Sequence, residues 1–577
     1  MRLERLKSGF LRGALVTIVA VAVFSFFFTS AAYAVNSVTR LPGVIDRPPV
    51  YLPKDVKKKA KPGKKAVKED VKAGGPTVTI RKVEFSGDLI FKEVKLQAIA
   101  KPFLNRPITK RDIADLKYKL TKRYYKSGYV LVRVTTPPQK LASGVLKIAI
   151  GAGKVGNVSV KGRAVRGHIV RSHFTNRIKR GKYFNEHTVE GAVKNLDDIG
   201  GVEAKLSLKP GGAYGTTDLL LTTDKERETI ASVSVDNYGS ELTGKYVLTA
   251  SLRKSNLLRM GESLGFTYRR SDKDMQTFMG DVSIPIGLMN IRLEGNYLYS
   301  ENDIEGSLTA LNMEGKTQRG GVALSGKIRN SSKRMIAWRV GGEHRLHESF
   351  LDAMLETRDK ISQVYVQASY LTRHKYYSFY LDLKATKGID ALDSNSVADP
   401  DASRVMGDPM ALRFNGRAFS SIGFTRNNHL TLDLQWQIAS NELLASDMFS
   451  IGGYGSVRGF DVAFASSDAG VQFNAELLHT FILTPSGKHR FYFGPFYDAG
   501  SVYDRIRGNR IPPGMAALNP DDKIYSAGLG AELVMKLIPG ANTVVRADWA
   551  HPLRRHIYED QTTIAANTFY FKFSQSY

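Results

Sequence analysis

From about Thr229 to the last residue, apolar and polar positions alternate with a period of two. In HLTLDLQWQI, Leu430, Leu432, Leu434, Trp436 and Ile438 fall on one face and Thr431, Asp433, Gln435 and Gln437 on the other. NIRLEGNYLY sets Ile291, Leu293, Tyr297 and Tyr299 against Arg292, Glu294 and Asn296, and YYSFYLDL gathers Tyr377, Phe379, Leu381 and Leu383 on one side. Successive side chains of a strand point to opposite faces, so each segment is a strand with one apolar and one polar surface. Polar, turn-rich stretches such as DALDSNSVADPDAS separate the strands. A soluble β-sandwich alternates in the same way. Here the polar faces carry charges and amides, as a water-filled lumen requires, and the apolar faces are rich in Tyr and Phe, as interfacial girdles require. About 350 residues, at ~10 per strand plus turns and loops, leave room for an antiparallel transmembrane β-barrel of about 16 strands.

Upstream, two similar units occupy 76–152 and 153–225. The first opens with VTIRKVEFSG, a strand holding Val78, Ile80 and Val83–Phe85 and ending at Gly87. A helix starts at Thr109, a good N-cap, with Asp112 three residues on to reach back to it. Ile113, Leu116, Leu120 and Tyr124 recur at helical spacing and Gly128 stops the run; the strands YVLVRVT and VLKIAI follow. The second unit repeats the order: GNVSVKG ending at Gly162, a helix with Val189, Ala192, Val193 and Leu196 before Gly200, then VEAKLSL and TDLLLTT. Gly87 and Gly162 stand 75 positions apart, which predicts a tandem duplication of a small β-α-β-β domain. GAGKVG, from Gly151 to Gly156, satisfies G-x-G-x-x-G but runs into a strand rather than a helix, so it reads as an interdomain turn.

At the N-terminus Arg2, Arg5, Lys7 and Arg12 precede the apolar run ALVTIVAVAVFSFFF, which gives way to TSAAYA. Ala32-Tyr33-Ala34 fits the small-x-small rule, so 1–34 reads as a cleaved secretory signal rather than a retained anchor. After it no apolar stretch approaches the ~20 residues of a transmembrane helix. Residues 35–75 carry Pro42, Pro48, Pro49, Pro53 and Pro62 with a dense lysine run, and read as an extended, solvated linker. The net charge of +28 invites a nucleic-acid reading, but no aromatics are set among the lysines to stack bases, so no nucleic-acid partner is expected. The absence of cysteine removes disulfides, thiolate metal sites, a cysteine nucleophile and a lipoprotein anchor.

Enzyme motifs do not emerge: there is no G-x-S-x-G, H-E-x-x-H or Walker loop. The 11 histidines form no ligand-like cluster, and the spacing of His168, His173 and His187 suits surface positions better than a metal site. No catalytic residue, metal or cofactor is therefore expected. GGYGSVRGF, from Gly452 to Phe460, sets one arginine among four glycines without the spacing of a phosphate loop. In HRFYFGPFYDAG, Phe491, Phe493 and Tyr497 share one face, and Arg490 and Asp498 share the other, so Asp498 points into the lumen. Pro495 lacks a ladder donor, and a bulge or irregularity is expected near it.

A signal segment, two β-α-β-β units and a C-terminal barrel containing VRGF together resemble the outer-membrane transporters of two-partner secretion, the haemolysin and haemagglutinin secretion/activation proteins, within the POTRA-barrel insertase superfamily. The likeness runs from about Pro76 to Tyr577. It implies two tandem α+β POTRA domains followed by a barrel over 226–577. Val457, Arg458, Gly459 and Phe460 match the family's motif on a long loop folded back into the pore, and FYDAG (Phe496–Gly500) matches the F-x-D-x-G of a later strand. DNYGSELTG, from Asp236, looks like the family's first barrel strand. The resemblance implies that Arg458 pairs with Asp498 in the lumen, with Val457 and Phe460 packing the loop against the wall beside Gly500. The final strand, TFYFKFSQSY, resembles the C-terminal signal recognised by the barrel-assembly machinery, although Gln575 stands where an aromatic is commoner. Members often carry an N-terminal plug helix; 35–75 has no amphipathic period, and none is predicted here.

The implied function is an outer-membrane pore with periplasmic POTRA domains. An unfolded partner exoprotein would add a strand to a POTRA sheet edge and be threaded to the cell surface or medium, with or without activation on the way. Lipid, lipopolysaccharide and, during biogenesis, the barrel-assembly machinery are the other partners. A barrel-assembly insertase is the alternative; two POTRA units rather than three or more favour the secretion pore. A barrel-anchored adhesin or enzyme is the third reading.

Overall fold

The computed structural model describes residues 77–577 apart from 163, 226, 287–290, 305–311, 426, 504–522, 538–539 and 557–566. The signal segment 1–34 and the linker 35–75 lie outside the described residues.

In the first unit the strands Lys82–Gly87, Val145–Ala152 and Val132–Thr135 form a sheet in that order, the first two parallel and the last two antiparallel. The second unit repeats this with Lys154–Lys161, Thr216–Lys225 and Val202–Pro210. The duplication extends to single residues. Gly87, the last residue of the first strand in one sheet, and Gly162, just after the first strand in the other, have φ of 90° and 93°, and a Cβ would lie 2.4 Å from the Ile150 carbonyl oxygen and 2.0 Å from that of Thr223. Only glycine fits both the left-handed backbone and the close approach.

The helix Lys110–Lys126 begins with the capping box expected of Thr109 and Asp112 and buries Leu116, Leu120 and Tyr124 against the sheet. Glu186–Asp197 is its counterpart, capped by Asn185 and burying Val189, Ala192 and Leu196. Each unit also has a further helix that the sequence pattern does not reveal. Glu93–Ala100 buries only Leu96 and Ala100 and has no side-chain cap. Gly167–Val170 is a single turn that widens into a π-helical stretch over Arg171–Thr175. The units are thus β-α-α-β-β. That widened turn brings His173 inside, whereas His168 and His187 are exposed, which corrects the expectation of three surface histidines. GAGKVG is not the expected turn: Gly151 and Ala152 end one strand, Lys154–Gly156 begin the next, and only Gly153 lies between them.

Thr229–Asp236 begins a closed barrel of 16 strands, each antiparallel to its neighbours, which Thr568–Ser576 completes by pairing back onto the first. The alternation has the polarity read from the sequence. In Asn428–Ala439, Thr431 and Gln437 are buried in the interior and Asp433 receives both arms of Arg417 at 2.9 and 2.7 Å. Leu293, Tyr297, Phe569, Phe571 and Phe573 lie exposed on the outer surface.

One expectation about the barrel needs correction. DNYGSELTG is not the first strand: Asp236 ends that strand, and the rest of the segment is the turn after it. The Asn237 side-chain amide extends the ladder there, donating to the Phe569 carbonyl at 2.8 Å and accepting from the Phe571 N–H at 2.7 Å, beside a backbone bond from the Asn237 N–H to the Phe571 carbonyl at 3.3 Å. Near Pro495 the expected irregularity is present, as an interruption of the ladder. Pairing with the preceding strand runs to Glu476 opposite Phe496 and resumes at His479 opposite Phe493 with the register unchanged.

The second unit sits against strand ends and turns at one end of the barrel. Asn330 donates to Asn195 and Asp198, both at 2.8 Å, and Lys327 also pairs with Asp198. On a neighbouring turn Asn256 donates to the Ala164 carbonyl at 2.8 Å.

Candidate functional site

The connection 440–468 enters the barrel instead of bridging two strands directly. Its short strands Phe449–Ile451 and Ala465–Ser467 pair as a stem, and a tip containing GGYGSVRGF lies beyond them. Val457 and Phe460 are buried with Phe449, Ile451 and Ala465 of the stem and with Val502 and Ile524 of the wall.

Arg458 is 4% exposed and Asp498 fully buried. The guanidinium Nε donates to Asp498 Oδ2 at 2.7 Å and Nη2 to Oδ1 at 2.9 Å, while the Arg458 backbone N–H reaches Oδ2 at 3.2 Å. This two-pronged match of planar fork and carboxylate is the strong form of a charged hydrogen bond. The guanidinium carbon lies 3.3 Å from the centroid of the Phe496 ring, which covers the face the carboxylate leaves open. Gly459, at φ 92°, donates its N–H to the Tyr570 hydroxyl at 3.0 Å, and a Cβ there would come within 3.2 Å of Pro552. A side chain at Gly500 would meet Val457 at 2.9 Å and Ile451 at 3.1 Å. All six residues singled out in the sequence therefore converge on one place.

The sequence reading missed the surroundings of this pair. Arg458 Nη1 is also 3.2 Å from Asp548 and 3.8 Å from Glu476. Arg546 lies behind them, 2.6 Å from both Glu476 and Asp548 and 3.2 Å from Glu532. Two guanidiniums thus knit together four carboxylates from different strands. Tyr454 stacks flat on Tyr238, ring centroids 3.6 Å apart, and Ser456 donates to Gln472 at 2.8 Å. The available signal was Arg546-x-Asp548, two charges on one face of the apolar stretch VVRADWA. Every carboxylate in the cluster accepts from a guanidinium, so the arrangement fastens a loop.

A family model described as haemolysin secretion/activation protein ShlB/FhaC/HecB matches residues 215–518, more than half of the chain, and one described as POTRA domain, ShlB-type matches residues 78–153. The heme/hemopexin transporter protein HuxB of Haemophilus influenzae is 23% identical over 494 residues, covering 80% of this chain and 81% of that protein. The outer membrane transporter CdiB of Dickeya dadantii is 23% identical over 431 residues, covering 71% and 74%. Among solved structures, CdiB from Escherichia coli matches the fold with a TM-score of 0.72 at 18% identity, over 88% of this chain and 92% of that one. CdiB from Acinetobacter baumannii matches at 0.64 and 17% identity, over 88% and 91%.

Proposed function

As a member of the haemolysin secretion/activation protein ShlB/FhaC/HecB family, the chain is an outer-membrane pore of two-partner secretion with its POTRA domains in the periplasm, and we propose that its secreted partner enters unfolded, by adding a strand to an open POTRA sheet edge. Such binding suits an unfolded client because backbone groups supply the hydrogen bonds and side chains matter little. What supports it is Val202–Pro210, a nine-residue outer strand of the second sheet with Leu208 exposed on it. The observation carrying the pore reading is a barrel whose lumen holds a loop fastened by ion pairs rather than by strand pairing.

The tip bearing Arg458 shifts during transport to clear the path, and Val457, Arg458, Gly459, Phe460, Asp498 and Gly500 act together as its catch. The outward apolar band meets lipid and lipopolysaccharide. The final strand, with Phe569, Phe571 and Phe573, is what the barrel-assembly machinery recognises during insertion. No catalytic step belongs to this reading.

The test compares the proteins of the culture medium and the outer membrane with and without the gene. Loss of one large protein from the medium, with the membrane unchanged, is the expected outcome. Broad depletion of other barrels from the membrane would make the chain an assembly factor instead.

A further inference from the structure

The pore loop is held at two places that draw on different sectors of the wall. The tip is bound by the strands Ala469–Ile482, Arg490–Tyr503, Asn542–His556 and Thr568–Ser576, through Gln472, Asp498, Asp548 and Tyr570. The stem strands pack beside the tip on Val502 and Ile524, but the base of the stem is bound elsewhere, by a second buried cluster that the VRGF motif does not include. In the turn Ala445–Asp447, the Asp447 carboxylate receives Arg345 Nη1 at 2.7 Å and Gln363 Nε2 at 2.5 Å, and it also pairs with Arg413. Arg345 donates to the Ser446 carbonyl at 2.8 Å, and Gln437 to the Asp447 carbonyl at 2.8 Å. Asp447, Arg345, Arg413 and Gln363 are all buried. Around them the neighbouring connection 390–411 closes in. Ser403 accepts from the Ala445 N–H at 2.9 Å, and Arg404 bridges the Leu443 carbonyl at 2.7 Å to Asp468 at 2.5 Å.

The two attachments differ in what each leaves behind on release. Under the tip, Arg546 already holds Glu476 and Asp548 at 2.6 Å without help from the loop. Withdrawing Arg458 strands one carboxylate, Asp498. Under the stem the wall supplies guanidiniums and the loop supplies the acid. Withdrawing Asp447 takes the carboxylate from Arg345 and Arg413 together, leaving Glu343, 3.5 Å from Arg345, as the neighbouring wall carboxylate and only the neutral Gln363 amide oxygen, 2.9 Å from Arg413. A buried charge without its partner is costly, so the tip leaves more readily than the stem. Between the two, Gly452 and Gly453 have φ of 108° and 84°, backbone that only a glycine adopts without strain.

We propose that Asp447 is the fixed anchor of the pore loop, a positioning residue that keeps the stem on the wall while the tip releases Asp498 and later returns to it. The inference rests on the transport reading and deepens it, by dividing the loop into a part that moves and a part that does not.

The chain has no cysteine, so paired cysteines can lock either part in the purified full-length protein. The readout is potassium current through single channels in planar lipid bilayers. It reports opening whether or not the secreted partner is known, so failure here is separable from failure of the secretion reading. Oxidising S456C/Q472C, which ties tip to wall, should abolish the openings shown by the reduced form, and reductant should restore them. Oxidising S403C/A445C, which ties the stem to the neighbouring connection and leaves Asp447 intact, should leave openings in place. In Q363C/D447C the signs reverse: the reduced form should lose long closed periods because the stem is adrift, and oxidation should restore them. Heat-modifiable gel mobility verifies that each barrel is assembled. If Q363C/D447C does not assemble, the S403C/A445C arm decides alone. Loss of openings on locking the stem would overturn the proposal, as would normal openings with the tip locked or equal closed periods in reduced and oxidised Q363C/D447C.

Discussion

In the first POTRA domain Leu116, Leu120 and Tyr124 are fully buried, while Asp115 and Lys119 pair at the surface at 2.8 Å. In the barrel the arrangement is reversed: Phe569 is 68% exposed on the outside, and Arg458 and Asp498 are sealed within. Both regions obey one rule, that apolar surface avoids water, but the barrel's outer solvent is lipid. The reversal changes what an ion pair is worth. An exposed i,i+4 pair such as Asp115–Lys119 contributes about 0.3–0.5 kcal/mol. A charge enclosed in the lumen is tolerated only when matched, and removing its partner costs about 3–5 kcal/mol.

The sharpest way to break the comparison is to unmatch the lumen. Arg458→Ala and Asp498→Ala should each leave an inserted barrel that secretes poorly, and normal secretion by both would remove the catch from the mechanism. The two should not be equal. Asp498→Ala leaves Arg458 beside Asp548 and Glu476, at 3.2 and 3.8 Å. Arg458→Ala leaves Asp498 among acids, so it is expected to cost more of the about 3–5 kcal/mol range. Urea unfolding of both single variants and the double variant measures the difference and the coupling.

Next in size is a test using two exposed valines. Val94 on the first POTRA domain is 79% exposed and Val366 on the barrel wall 57%. By exposure alone a lysine should be better tolerated at Val94 and nearly as well at Val366. If the barrel's outer solvent is hydrocarbon, Val366→Lys costs about 2–4 kcal/mol near mid-bilayer, whereas Val94→Lys stays within about 0.5 kcal/mol. Equal stability of the two variants in lipid would contradict the reversal.

The same contrast explains what could be read from the sequence. Signals that act within a few residues were legible: the Thr109–Asp112 capping box, the paired glycines Gly87 and Gly162, and the alternation that placed Asp498 on the lumen face. Short elements were not. Glu93–Ala100 buries two side chains and has no cap, too little to stand out as a period. At the end of the first barrel strand, the Asn237 side-chain amide takes up the next backbone groups of the final strand, so residues that read as strand are turn. Partner choice in the lumen was the least legible. Alternation tells which face a charge occupies, but not its height or the strands that barrel closure brings opposite. Arg458 therefore meets Asp548, 90 positions away, and Arg345 meets Asp447, 102 away, with no local trace of either pairing. Arg458 and Asp498 were joined by family resemblance, and Asp447 had no such guide.

The smallest expected effect lies on the POTRA side, where charge is exposed and works locally. Asp112 accepts from the Thr109 N–H at 2.8 Å and from its hydroxyl at 2.7 Å, with Arg106 at 2.9 Å. The Thr109 bonds first, and then the guanidinium, hold its carboxyl below the ordinary aspartate value, at about 2. A depressed folded value means that ionised Asp112 favours the helix at every pH above the unfolded value of ~3.9. That contribution is lost as pH falls from there through about 2. The protection of the Lys110–Lys126 amides, taken relative to their intrinsic exchange rate at each pH, should therefore be insensitive to this group between neutrality and pH ~4.5, and should fall selectively below it. Thr109→Ala removes the cap and should weaken the helix by about 1 kcal/mol at neutral pH. Asp112→Asn should flatten the acid limb while leaving the lumen-dependent secretion untouched. An unchanged acid limb in Asp112→Asn would assign the pH response to other carboxylates.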